Sequence, residues 1–240
     1  MNTALIFAGG TGTRMRTTGR PKQFLEMNNK PIIIHTIEMF EYHPEIDSIA
    51  VVCIAGWIDY LKEQLARFGI KKVKWIVPGG ETSQESTRNG LNAIAADQDP
   101  KDTIVLIHDG VRPLITQQLI SENIACAKQH GNAITVAPAI ETIITTDEAG
   151  EVAGLIDRSL CRLARAPQTF VLADIIAMHQ KAIKEGYDKM IDSASLMIHY
   201  GQKLHMVEGP MENIKITTPS DFYIFRAIQE ARENLQIFGM

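Results

Sequence analysis

Four short apolar runs alternate with helical stripes over the first half of this chain, and that alternation leaves few folds open. Ala4-Leu5-Ile6-Phe7-Ala8 ends at Gly9-Gly10, and Ile49 to Ile54 ends before Gly56. Val73 to Val77 stops at Pro78-Gly79-Gly80, and Thr103 to Ile107 runs into His108-Asp109-Gly110. Each run is too short for a helix and too continuous for a half-exposed strand, as in strands buried on both faces. Between them the period turns helical. Pro31 suits a first helical position, with Ile33, Ile37 and Phe40 following at spacings of four and three. Ile58, Leu61, Leu65 and Phe68 repeat at three and four until Gly69, and Gln117 to His130 closes at Gly131. The pattern predicts an α/β chain whose mostly parallel sheet is covered on both faces.

Beyond Ala139 the pattern changes. Glu141 to Thr146, the turn Asp147-Glu-Ala-Gly150 and Val152 to Ile156 predict a β-hairpin, an arm over 138–160 that leaves the main sheet. A helix from about Leu172 to Glu185 follows, then Ser193–Tyr200, a strand at Leu204–Val207 and a final helix from Pro219. Thr218 is its expected N-cap, with Asp221 three residues on. No repeat or linker divides the chain, so 1–240 reads as a single domain.

Formal charge is −4, a poor balance for nucleic-acid binding, because phosphate backbones demand a basic surface. No apolar run is long enough for a membrane span. Cys53, Cys126 and Cys161 form neither a disulfide framework nor a metal pair, and the expected location is cytoplasmic.

Against that net charge, the first 25 residues hold no Asp or Glu but contain Arg14, Arg16, Arg20 and Lys22. They follow the first strand through Ala8-Gly9-Gly10-Thr11-Gly12-Thr13. In open α/β sheets ligands bind beyond the carboxyl ends of the strands, and a glycine-rich turn there lets backbone N–H groups approach an anion. Glycine turns alone are common; the cations turn this one into an expected polyphosphate site. It is not a P-loop, since no Gly-Lys-Ser/Thr occurs. Nor is it the dinucleotide fingerprint, because Met15 stands where a third glycine belongs and no acidic residue ends the second strand.

Two further segments carry chemistry. Asp109 ends the fourth run, where a carboxylate facing a polyphosphate loop is a natural Mg²⁺ ligand, although a turn-capping Asp is commoner. His108 is assigned no chemistry. In Asn213-Ile-Lys-Ile-Thr217, the alternation predicts a strand with Asn213, Lys215 and Thr217 on one face.

These segments, with Pro21-Lys22-Gln23-Phe24, Arg112-Pro113 and Thr218-Pro219-x-Asp221, resemble a family of cytidylyltransferases. It holds 2-C-methyl-D-erythritol 4-phosphate cytidylyltransferase and ribitol-5-phosphate cytidylyltransferase, and the likeness runs from residue 3 to about 230. The resemblance implies a Rossmann-like nucleotidyltransferase fold with a β-hairpin dimerisation arm, and a homodimer acting on CTP and a polyol phosphate with Mg²⁺. It implies that Arg14, Lys22 and Lys215 are catalytic and that Asp109 holds the metal. Ala8, Gly9, Gly10, Thr11, Gly12, Thr13, Gly79, Gly80, Ser86 and Asp109 would meet the nucleotide. Arg112, Arg158, Asp192 and Thr217 would meet the acceptor, Arg158 in the partner subunit's site. Two positions depart from the family: Ser83 where an arginine is usual, and Ile191 where methylerythritol enzymes have a threonine. The expected product is CDP-ribitol or a similar CDP-polyol, with pyrophosphate. The alternatives are the methylerythritol reaction of isoprenoid biosynthesis and a non-catalytic nucleotide-binding protein.

Overall fold

The computed structural model describes residues 1–9, 19–187 and 190–238, and of 235–238 the backbone only. Gly10, Thr11, Gly12, Thr13 and Arg14 therefore lie outside the described residues. Strand β1 (Asn2–Ala8) leads to the two-residue strands β2 (Glu26–Met27) and β3 (Lys30–Pro31), helix α1 (Ile32–Glu41) and strand β4 (Ser48–Cys53). Helix α2 (Ile58–Arg67), β5 (Val73–Pro78), α3 (Ser83–Ala95), β6 (Ile104–Asp109), α4 (Gln117–His130) and β7 (Asn132–Pro138) follow. Then come β8 (Ile143–Thr146), β9 (Val152–Ile156), β10 (Arg162–Val171), α5 (Leu172–Glu185), α6 (Ser193–His199), β11 (Met206–Glu208) and α7 (Pro219–Phe238).

Seven strands form the main sheet in the order β11-β7-β10-β6-β1-β4-β5. Every neighbouring pair is parallel except those made by β10, which runs against β6 and β7. The four apolar runs are thus adjacent parallel strands, as their continuous hydrophobicity requires. Alternate residues feed opposite faces. Ala4, Ile6 and Ala8 join Ile49, Val51 and Leu106 under α1, α2 and α4. Leu5, Val52 and Val105 meet α3, α5 and α6 on the other side. Burying such side chains contributes about 1.5–3 kcal/mol each, so this double coverage fixes the sheet rigidly.

Two expectations need correction. Residues 213–217 are not a strand: the segment begins in local turns, with Asn213 bonded to the Pro210 carbonyl (3.1 Å) and Ile214 to that of Glu212 (2.6 Å), and one long-range backbone bond runs from Ile216 to the Val111 carbonyl (2.8 Å). With no neighbouring ladder, the expected polar face does not form, and Asn213 turns inward to full burial beside the buried Ile216. The late strand is Met206–Glu208, shifted two residues on from Leu204 at its start.

The hairpin β8–β9 pairs outside the main sheet. Asp147 closes it, its carboxylate accepting from the Ala149 and Glu151 amides (3.0 and 2.9 Å), and Gly150 supplies a φ of +84°. At the other end of the chain α7 is capped as expected: the Asp221 carboxylate accepts from the Thr218 amide at 2.7 Å. Phe225 carries α7 into a small core with Ile216, Val111 and Ile32, which anchors the 214–216 segment beside the end of β6.

Candidate active site

A cleft of about 770 Å³ opens where the parallel strands end, lined from β1, β6, β10, α3, α6 and the 215–217 segment. Ala8 and Gly9 form its floor on the β1 side. Gln23 holds that strand end, its Nε2 donating to the Ala8 carbonyl at 2.6 Å. Phe24 is fully buried and stacks on Trp57 at 4.8 Å. Between a pinned Gln23 and the extended Pro21, Lys22 enters the cleft from a single helical turn rather than a loose loop.

Gly80 lines the cleft and Gly79 lies just behind it. The Gly79 amide donates to the Cys53 carbonyl (2.9 Å), and the Gly80 amide to Ser86 Oγ (3.0 Å). A Cβ at Gly79 would come 3.2 Å from that oxygen, so a side chain there would press the serine hydroxyl out of its place. Ser86 thus braces the loop as well as lining the cleft. Thr82 caps α3, its Oγ1 accepting from the Glu85 amide at 3.0 Å, and the first turn of α3 presents Ser83, Ser86 and Thr87 to the cleft. Free amides of a helix start favour an anion there. Arg88 does not replace the arginine missing at Ser83: it faces α5, in a small pocket with His179.

The centre of the cleft is Asp109. Lys215 Nζ reaches its Oδ1 at 2.6 Å, while Arg112 Nε and Nη2 reach its Oδ2 at 3.2 and 3.1 Å. Burial opposes the carboxylate's charge, but Lys215 and then Arg112 outweigh it and hold the carboxyl at about 2. Its neighbour His108 is pushed down to about 4, chiefly by burial, and stays neutral. A neutral ring donates from Nε2 to the Arg112 carbonyl (3.0 Å), which makes His108 a core support for the turn.

On the β10 side of the cleft, Asp192 caps α6 by taking the Ser195 amide at 2.8 Å, and its other oxygen accepts from Gln168 Nε2 at 2.7 Å. Gln168 Oε1 in turn accepts from the Ala194 amide at 2.9 Å, locking β10 to α6. Ile191, 86% exposed, stands at the rim. Thr217 lines the cleft too, but its hydroxyl donates to Asp221 at 2.7 Å.

Of the expected residues, the described structure gathers Ala8, Gly9, Lys22, Gly80, Ser86, Asp109, Arg112, Asp192, Lys215 and Thr217 around one cleft. Arg158 is not among them. It sits on an exposed turn at the foot of the hairpin, donating to the Ile140 carbonyl. Arg165 and Gln168 are lining residues that local pattern does not mark as site residues, because β10 carries no apolar run to announce a strand. Arg165 comes from an irregular stretch of β10 in which the register with β7 slips between Ala164 and Gln168. A proline within a strand marks such a break, since it cannot donate to the ladder. Burial, followed by the nearby Arg112, lowers the pKa of Arg165 below the usual arginine range.

The cleft so described can bind a polyphosphate and a second anion side by side: Lys22, Arg112, Arg165 and Lys215 line it against Glu81, Asp109 and Asp192. No group of three or more His, Cys, Asp or Glu that could hold a metal by protein ligands alone occurs among the described residues. Among those residues no helix is long and apolar enough to cross a membrane.

Comparison with known proteins agrees with this geometry. The family model described as IspD: 2-C-methyl-D-erythritol 4-phosphate cytidylyltransferase matches residues 2–231. A ribitol-5-phosphate cytidylyltransferase of Vibrio parahaemolyticus is 54% identical over 239 residues, all of both chains. A 2-C-methyl-D-erythritol 4-phosphate cytidylyltransferase of Geotalea uraniireducens is 41% identical, covering 94% of this chain and 95% of its own. Among solved structures, the 4-diphosphocytidyl-2C-methyl-D-erythritol synthase of Anaerococcus prevotii superposes with a TM-score of 0.81 at 27% identity, covering 95% and 96% of the two chains.

Proposed function

Because the chain belongs to the 2-C-methyl-D-erythritol 4-phosphate cytidylyltransferase family, we propose that it transfers the cytidylyl group of CTP to a pentitol phosphate, ribitol 5-phosphate foremost. The observation that carries this reading is the Asp109 carboxylate held between Lys215 and Arg112, with Lys22 across the same cleft. An oxygen of the acceptor's phosphate attacks the α-phosphorus, the new P–O bond forms, and the bond to the β-phosphate oxygen breaks as pyrophosphate leaves in line. A phosphate dianion carries no proton at its attacking oxygen, so no general base is required. The protein's part is to position the two phosphates and to meet the charge that grows at the α-phosphorus. Lys22 and Lys215 supply cations from opposite sides, and we assign Arg14 to the triphosphate with them.

The donor set fits Mg²⁺ in one way. Asp109 is ionised and is a single hard ligand, and Mg²⁺ commonly takes one or two carboxylates together with substrate phosphates. When bound there, the ion would neutralise phosphate charge. Lys215 and Arg112 keep the carboxylate ionised, and the ion would share its oxygens with them.

Ribitol 5-phosphate is favoured as acceptor by the name of the Vibrio relative and by Ile191, whose side chain cannot hydrogen-bond a substrate hydroxyl. The methylerythritol reaction is favoured by the family model's description and is the second reading. We also propose a homodimer joined through the β8–β9 arm, with Arg158 serving the partner's cleft. The reaction is assigned to the cytoplasm, in keeping with three free cysteines.

A panel of four nucleoside triphosphates against ribitol 5-phosphate, other pentitol phosphates and methylerythritol 4-phosphate, read by pyrophosphate release, tests the proposed reaction and its substrates. The expected outcome is the highest kcat/KM for CTP with ribitol 5-phosphate. Preference for methylerythritol 4-phosphate selects the second reading, and pyrophosphate release with no acceptor on the panel rejects transfer to a polyol phosphate.

A further inference from the structure

Arg112 and Arg165 share one carbonyl. Arg112 Nη1 donates to Asn213 O at 2.6 Å, and Arg165 Nη1 donates to the same oxygen at 3.0 Å. Two guanidinium groups are thereby clamped side by side where the 213–217 segment enters the cleft. Their remaining bonds differ. Arg112 gives Nε and Nη2 to Asp109, so its fork is spent on a carboxylate. Arg165 uses the one nitrogen Nη1 for three carbonyls, those of Pro210, Met211 and Asn213 (3.4, 2.7 and 3.0 Å). Its Nε and Nη2 donors have no protein partner among the described residues, and the side chain lines the cleft between Ala164 and Ala166.

Glu212 acts on this guanidinium through its charge alone, with no hydrogen bond to it among the described residues, and a guanidinium fixed by one nitrogen at a cleft that it lines is built for an oxyanion. Position says which one. The triphosphate side is the β1 end with Gly9 and Lys22, and Asp109 follows on β6, the next strand; β10 lies one strand further still. Arg165 therefore stands beyond Asp109 from the nucleotide, on the side where Gln168 and Asp192 are locked together.

We propose that Arg165 binds the phosphate monoester of the acceptor within its own subunit's cleft and determines the affinity for that substrate. The inference rests on the cytidylyl transfer proposed above. Arg112 positions it through the shared carbonyl, and Asp192, which still has acceptor capacity beside the Ser195 and Gln168 bonds, faces the hydroxyls of the polyol.

Steady-state kinetics of Arg165→Gln and Arg165→Lys test this, with thermal unfolding alongside. Losing a charge-assisted pair costs roughly 10- to 100-fold in affinity. The expected result for R165Q is a rise of that size in the acceptor's KM, with KM for CTP, product inhibition by pyrophosphate and Tm unchanged, and partial recovery in R165K. A rise in KM for CTP or weaker pyrophosphate inhibition instead would give Arg165 to the nucleotide and overturn the proposal. So would no change, or a joint loss of kcat, both KM values and Tm, which would make Arg165 a strut for residues 210–213. If the wild type turns over no acceptor, the transfer reading fails on its own. Calorimetric titration of ribitol 5-phosphate into enzyme loaded with a non-hydrolysable CTP analogue then decides: tighter binding to wild type than to R165Q supports the site, and equal binding or none overturns it.

Discussion

Asp109 shows how much one side chain can organise. Its two oxygens are taken by cations from different stretches of chain, so the carboxylate both sets the position of Lys215 and stays ionised far into acid. The folded pKa, about 2, lies below the ordinary 3.8. The stability it contributes is complete above about pH 5 and is lost as pH falls toward 2, a difference of about 2 kcal/mol. Urea midpoints should therefore fall more steeply between pH 4 and 2 in the wild type than in Asp109→Asn, and that variant should need more Mg²⁺ for whatever activity it keeps. Full activity in EDTA would remove the metal. Lys22→Ala should lower kcat by roughly 10²–10³-fold with the fold intact, the effect of removing a group that stabilises developing charge. A normal kcat with only a raised KM would reduce Lys22 to a binding group. Asp109 was legible because it ends an apolar run before a glycine, Lys22 because it stands in a basic segment free of acids, and Lys215 through the polar alternation of 213–217, although that segment is not a strand. Arg165 was not, since only the folded partners show that most of its donors are left for a ligand.

The elements were legible where their own residues stabilise them. The four parallel runs, α1, α2, α4 and the α7 cap all carry the periodicities that bury them. Helix α3 does not: Ser83 to Ala95 has only Leu91 and Ile94 fully buried among its large side chains, and a glycine at 90. It is helical because it packs on β4 and β5. Gly90 is what lets it lie so close, since a Cβ there would press on Leu5 and come 2.9 Å from Val52 Cγ2. Gly90→Ala should destabilise by about 1–3 kcal/mol in urea unfolding despite alanine's better helix propensity. It should also raise KM for CTP, because Ser83, Ser86 and Thr87 move with the helix. A stabilised variant would show that the contact is loose. Strand β10 was hidden for a related reason: its charged, proline-broken first half is ordered by its pairing with β7, which is not local. The alternation in 213–217 was real, but alternation makes a strand only where a neighbour offers a ladder.

At the scale of the molecule the hairpin is the feature that the chain alone does not satisfy. Val152, Leu155 and Leu160 are 66, 75 and 84% exposed, an apolar surface of the kind that marks an interface. With the homodimer proposed above, Leu155→Asp should shift the mass measured by light scattering toward the monomer, and an unchanged dimer would place the contact elsewhere. Mixed dimers of Arg158→Ala and Lys22→Ala subunits should recover activity if Arg158 crosses to its partner; verified mixed dimers with no recovery would keep it at home. The sheet order carries one more consequence, for how the molecule is born. Strand β6 touches β7 only through β10, and both hydrogen-bonded neighbours of β7, β10 and β11, come later in the chain. On the ribosome the quartet β5-β4-β1-β6 has all its internal pairings once residue 109 has emerged, whereas β7 must wait for residues 162–171 with an edge unsatisfied. The wall that would receive CTP is thus assembled first, and the wall that would receive the acceptor is the last part of the cleft to exist.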